Sequence, residues 1–125
     1  LNCASLTTAY IPTNAAYTEI LESTFEGATS LTTVTIPENV TLLSRKAFKN
    51  CSQLTTITIE GAELNTTNKI VSYGVFYGTA LSTLNWQNGT LAKAKALLTN
   101  AKTGLTKGGV VHVVCGDGEA DVTIA

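Results

Sequence analysis

Apolar residues return along this chain at a fixed phase. The tripeptide Leu-Thr-Thr begins at Leu6, Leu31 and Leu54, and Leu-Ser-Thr begins at Leu81, giving spacings of 25, 23 and 27 residues. Behind each leucine, apolar side chains recur three and five positions on: Ala9 and Ile11, Val34 and Ile36, Ile57 and Ile59, Leu84 and Trp86. Thr33 and Thr35, or Thr56 and Thr58, stand between them, so polar and apolar positions alternate with the period of a half-buried strand. A period of about 20 to 29 residues with one short strand marks a repeat unit that buries its apolar side by stacking on its neighbours. The predicted strands therefore run parallel, about 4.8 Å apart.

The segment that leads from one strand to the next carries its own anchors. Phe25, Phe48 and Phe76 are the only phenylalanines, and each lies five or six residues before the next leucine. Five residues before each phenylalanine stands Ile20, Leu43 or Val71. Pro12 and Pro37 directly follow the strand residues Ile11 and Ile36. At a strand end the missing N–H costs little and the ring helps the chain turn away.

Residues 31–41, Leu-Thr-Thr-Val-Thr-Ile-Pro-Glu-Asn-Val-Thr, and 47–55, Ala-Phe-Lys-Asn-Cys-Ser-Gln-Leu-Thr, carry a resemblance. They resemble the BspA-type leucine-rich repeat of bacterial surface proteins: strand, proline, short apolar return, Ala-Phe, then Cys-x-x-Leu. The resemblance covers residues 2 to 86 and is close between Leu31 and Gln53. Elsewhere Thr24 and Val75 replace the alanine, Ala28 replaces a cysteine, and the third return segment is longer. The resemblance implies a leucine-rich repeat solenoid with an adhesin-like or protein-binding role and no catalysis.

From Gln87 the pattern changes. Residues 90–102 predict an amphipathic helix with Leu91, Ala94, Leu97, Leu98 and Ala101 on one face, Thr90 as its cap and Gly104 as its terminator. Val110 to Val114 predict a strand, Cys115 to Ala120 a turn, and Asp121 to Ile124 a second strand. The last turn of a solenoid exposes an apolar end that needs cover. The fold expected is thus a right-handed leucine-rich repeat solenoid, an α/β-type short parallel sheet of about four strands. A C-terminal helix plus β-hairpin would cap it. Residues 1–86 form the repeats, in units near 6–30, 31–53, 54–80 and a partial 81–86; residues 87–125 form the cap.

Composition narrows the function. The chain has 125 residues, room for one core, and only 14% of them are charged. Eight basic against nine acidic side chains argue against a nucleic-acid partner held through phosphates. No apolar run reaches the roughly 20 residues of a membrane helix. There are 22 Thr and 7 Ser, which suits strands with a solvated hydroxyl face. Alignment of Leu1-Asn2-Cys3 on Lys49-Asn50-Cys51 starts the chain in mid-repeat, so it is expected to be the C-terminal part of a longer protein.

Candidate chemistry is sparse. Cys3 and Cys51 share the phase of Ala28, which makes the position a small buried core site rather than a ligand. Asp117, Glu119 and Asp121 beside two glycines are spaced as calcium ligands can be, but the twelve-residue loop pattern is absent and a hairpin turn accounts for them. His112 and Cys115 stand three apart on one strand, so they point to opposite faces and cannot act as a pair. Lys93, Lys95, Lys102 and Lys107 read as a solvated helix face. Asn39, Asn50, Asn65 and Asn88 begin Asn-x-Ser/Thr sequons, a frequent accident in so Thr-rich a chain. No catalytic set, metal site or cofactor motif emerges.

What remains is a surface. The outward side chains expected on the open face are Thr8 and Tyr10, Thr33 and Thr35, Thr56, Thr58 and Glu60, and Thr83 and Asn85. They would meet an extracellular or host protein, with neither nucleic acid nor membrane insertion. The function expected is a non-catalytic binding or adhesion module of a secreted or cell-surface protein. The alternative is a spacer or stalk in a surface or phage-tail assembly.

Overall fold

The computed structural model describes residues 7–9, 11, 13, 16, 18–20, 24–43, 46–61, 74–99 and 103–124. The expectations for Cys3, Leu6, Tyr10, Pro12, Asn65, Val71, Ala101 and Lys102 lie outside them. The elements in chain order are β1 (Thr8–Ala9), β2 (Glu19–Ile20), β3 (Thr33–Ile36), β4 (Leu42–Leu43), β5 (Thr56–Ile59), β6 (Thr83–Trp86), α1 (Leu91–Thr99), β7 (Val110–Cys115) and β8 (Gly118–Thr123). A six-stranded sheet has the order β1-β3-β5-β6-β7-β8. Its first five strands run parallel, and β8 returns antiparallel to β7.

The alternation of Thr with β-branched or large apolar residues makes the central strands. In β3 and β5 the second and fourth residues, Val34, Ile36, Ile57 and Ile59, are buried, as are Leu84 and Trp86 in β6. The leucine that opens each unit is buried as well, at Leu31, Leu54 and Leu81. Successive units meet in phase: Thr33 lies beside Thr56 and Thr56 beside Thr83. Just before each strand a column of bonds passes from unit to unit. The amide N–H of Thr32 donates to Thr7 O (3.0 Å), that of Thr55 to Thr32 O (3.1 Å), and that of Ser82 to Thr55 O (2.9 Å). The hydroxyls of Thr32, Thr55 and Ser82 point at the same carbonyls from 3.4 Å, weak bonds at that length.

The return segments stack in the same way. β2 and β4 pair in parallel, with Ile20 beside Leu43. Phe25 and Phe48 stack at 5.4 Å with planes 8° apart, and Phe48 and Phe76 at 6.3 Å and 15°. Their amides form a column too: Phe25 N–H donates to Ala47 O, Phe48 N–H to Val75 O, and Phe76 N–H to Thr103 O. Two residues after each ring, the chain takes a left-handed conformation at Gly27, Asn50 and Gly78, with φ of 79°, 62° and 77°. Glycine and asparagine tolerate that region better than other residues.

The C-terminal part adds two strands to the same sheet. β7 pairs in parallel with β6, placing His112 beside Thr83, Val113 beside Leu84 and Cys115 beside Trp86. The helix α1 lies in the connection from β6 to β7 and packs against β7 and β8. The sheet thus has five parallel strands where about four were expected. Val110-Val111-His112 stands where the other units have Leu-Thr-Thr or Leu-Ser-Thr, so the motif that marks a repeat is absent from β7. The hairpin turn is also tighter than the expected Cys115-to-Ala120 loop, because Cys115 and Gly118 are already paired across Gly116-Asp117.

Candidate interaction face

Because buried and outward positions alternate, the side chains that leave the core from β3, β5 and β6 form rows across the sheet. One row runs through Thr33, Thr56 and Thr83, and a second through Thr35, Thr58 and Asn85. Thr33 and Thr35 are exposed; Thr56, Thr58, Thr83 and Asn85 are half-buried between neighbours. The backbone of β1 pairs Thr8 with Thr33. Glu60 is exposed but sits beyond the end of β5, where its N–H donates to Ile36 O (2.9 Å) and its carbonyl accepts from Asn88 Nδ2 (2.7 Å). It borders a shallow cleft of about 410 Å³ with Thr13, Pro37, Glu38, Asn39 and Asn88.

The rows extend onto the hairpin. His112 follows Thr83 in the first row and is paired with Asp121; Val114 follows Asn85 in the second and is paired with Glu119. Asp121 Oδ1 lies 2.8 Å from His112 Nδ1, and Glu119 Oε1 lies 3.0 Å from Nε2. The two carboxylates raise the imidazole pKa above its ordinary 6.5, Asp121 most strongly and then Glu119, both by hydrogen bonding. The sequence places none of these three on the face, because the hairpin turn was expected to include Glu119. The strict alternation through Val111, Val113 and Cys115, all buried, is the signal that would have revealed it.

The other candidate groups are structural. Asp117 accepts the Leu91 N–H (3.0 Å) while Thr90 Oγ1 accepts the Lys93 N–H (3.2 Å), so both serve the start of α1. Glu119 and Asp121 approach opposite nitrogens of one imidazole, and the three acids of the turn do not converge. Among the described residues no group of three or more His, Cys, Asp or Glu is placed to hold a metal ion. Cys51 is fully buried, like Ala28 at the same phase, and its thiol donates to Phe25 O (3.1 Å). Burial pushes the Cys51 thiol up to about 11, against the opposing bond from the Ala28 backbone. Burial, then the charge of Asp117, also raises Cys115, which lies on the opposite side of β7 from His112. Lys93 and Lys95 are exposed on α1, and Lys107 precedes β7. Among the described residues no helix is long and apolar enough to cross a membrane.

A family model described as "BspA type Leucine rich repeat region (6 copies)" matches residues 1–100. Neither a curated protein nor a solved structure matches the chain.

Proposed function

This chain belongs to the BspA-type leucine-rich repeat family, and from that membership we propose that it binds an extracellular protein through the open face of its sheet. Repeats of this family are non-catalytic recognition modules, and the setting proposed for this one is a secreted or cell-surface protein. The observation that carries the reading is the pair of outward rows, Thr33-Thr56-Thr83 and Thr35-Thr58-Asn85, held in phase by parallel pairing. Short hydroxyl and amide side chains in such rows leave the backbone rigid and offer donors and acceptors at low entropic cost. We assign the neutral rows to residues 1–86, while residues 87–125 extend the same face through β7 and β8 and cover the end of the stack.

Size sets the expected strength. Six strands at about 4.8 Å spacing and about 15 Å of exposed length give roughly 360 Å². A standard interface needs on the order of 800 Å² from each partner. This segment alone therefore binds weakly, and affinity rises when further repeats extend the face. The test is capture of a host extracellular protein on the immobilised chain, followed by amide hydrogen exchange of the complex. Protection at β3, β5 and β6 supports the reading. Protection confined to α1, around Lys93 and Lys95, overturns it.

A spacer or stalk role is the second reading. The uniformity of the Thr rows favours it, since nothing in β3 or β5 distinguishes one unit from the next. A chain that captures no protein at any repeat number, yet sets the reach of its parent molecule, would fit that role.

A further inference from the structure

Among the described residues, charge is unevenly placed across the open face. The described lysines, Lys46, Lys49, Lys93, Lys95 and Lys107, lie on return segments, on α1 or in the turn before β7, and none projects from the open-face rows. The charged side chains in those rows, among the described residues, are His112, Glu119 and Asp121, all at the hairpin end. An acidic segment crossing the face would meet two carboxylates there and, among the described residues, no lysine or arginine. A basic one would meet complementary charge.

We propose that the hairpin end of the open face docks a basic segment of the protein partner, with His112 acting as a proton-controlled gate between Glu119 and Asp121. This inference rests on the open-face reading and adds the chemistry of the partner and its control. The geometry explains the gate. A neutral imidazole has one N–H and can donate to only one of the two carboxylates, whereas the imidazolium donates to both. In the protonated state Asp121 and Glu119 are each bonded to the ring, at 2.8 and 3.0 Å, and the cluster has one net negative charge. Loss of the proton removes one of those donors. It frees a carboxylate for a lysine or arginine and leaves two negative charges.

The surroundings add no competing titration. From β8 the groups facing His112 are Glu119 and Asp121. From β6 the neighbour is Thr83, while the His112 N–H donates to Ser82 O (2.8 Å). α1 packs on the buried side of β7 and β8, where Ala94, Leu97 and Leu98 join Val111, Val113 and Val122 in the core. His112, Glu119 and Asp121 remain solvent-exposed, with 46%, 63% and 69% of their side chains accessible. A partner therefore reaches them without rearrangement of the fold.

The test is titration of the isotope-labelled chain with hexaarginine, and with hexacitrulline as a neutral control of the same shape, read by amide chemical shifts. At pH 8 hexaarginine should shift the amides of Thr83, His112, Val114, Glu119 and Asp121, and hexacitrulline should not. Affinity should fall about threefold at pH 5.5, where one negative charge is lost, and further, up to about tenfold, in the Glu119→Gln/Asp121→Asn variant, which removes both, as expected for losing exposed ion pairs. His112→Gln should bind hexaarginine with equal affinity at both pH values. Shifts centred on Glu38 and Glu60, or an affinity indifferent to pH and to the double substitution, overturn the proposal. A captured protein that needs Thr35 and Thr58 but ignores Glu119 and Asp121 overturns this inference alone. One that ignores Thr35 and Thr58 overturns the open-face reading itself.

Discussion

The two threonines of each Leu-Thr-Thr have different tasks. The first, at Thr32 and Thr55, stands in the column that bonds one unit to the next; the second, at Thr33 and Thr56, belongs to the outward row. Conformation costs appear at Lys46, which holds a left-handed backbone at φ 59° where the equivalent position in the next unit is Gly74. A side chain with a Cβ costs about 1–2 kcal/mol there, while glycine gives the unfolded chain back about 0.4–1 kcal/mol of entropy. Lys46→Gly should therefore stabilise the protein by roughly 0.5–1 kcal/mol in urea unfolding. Loss of stability would show that the Lys46 stem contributes packing. His112 supplies a pH-dependent increment. Its folded pKa is raised, so the increment is complete below pH 6.5 and is lost as pH rises through the raised value. The melting-temperature difference between the protein and His112→Gln should accordingly be largest in mild acid and shrink toward pH 8. A difference that grows with pH would contradict the bonding of His112 to Glu119 and Asp121.

Elements hold together by repeated contacts between equivalent positions. Phe48 is fully buried and sits between Phe25 and Phe76 in the stack. Its truncation to alanine removes contacts on both sides and should cost about 3–5 kcal/mol. An unchanged melting temperature for Phe48→Ala would put the return segments out of the phase described. Trp86 is the large member of its column, and its Nε1 donates to Gly61 O (2.7 Å). Gly89 packs flat on that indole, where a Cβ would come within 2.5 Å of ring atom Cδ2. Gly89→Ala should destabilise by about 1–3 kcal/mol, the usual range for overpacking a tight site. The elements also show what a single sequence discloses. β3, β5 and β6 were legible because alternation and the Leu-Thr-Thr phase point to the same residues. β7 was legible as a strand but not as a repeat strand, because Val110 replaces the leucine and α1 lengthens the unit. The two-residue strands β2 and β4 are too short to show a period. The outward Thr rows followed directly from alternation, whereas the His112 cluster depended on where a hairpin turn falls.

At the scale of the whole molecule, one side of the sheet forms the core and the other is left as a surface. The core runs unbroken from Ile11 and Ile20 through the Phe stack to Val122 and Ile124, so the repeats and the C-terminal elements share one buried cluster. The open side carries neutral Thr and Asn rows with charge gathered at its β7–β8 end. On the proposed reading, a partner is recognised by shape and hydrogen bonding over the rows, and by charge only at the hairpin. The most direct measurement is the affinity of a captured protein for the Thr35→Glu/Thr58→Glu variant, with the melting temperature recorded alongside. Both side chains point away from the core, so folding should be preserved while binding is lost. Normal binding by the folded variant, together with loss of binding in Lys93→Ala/Lys95→Ala, would move the site to α1 and leave the sheet as scaffold.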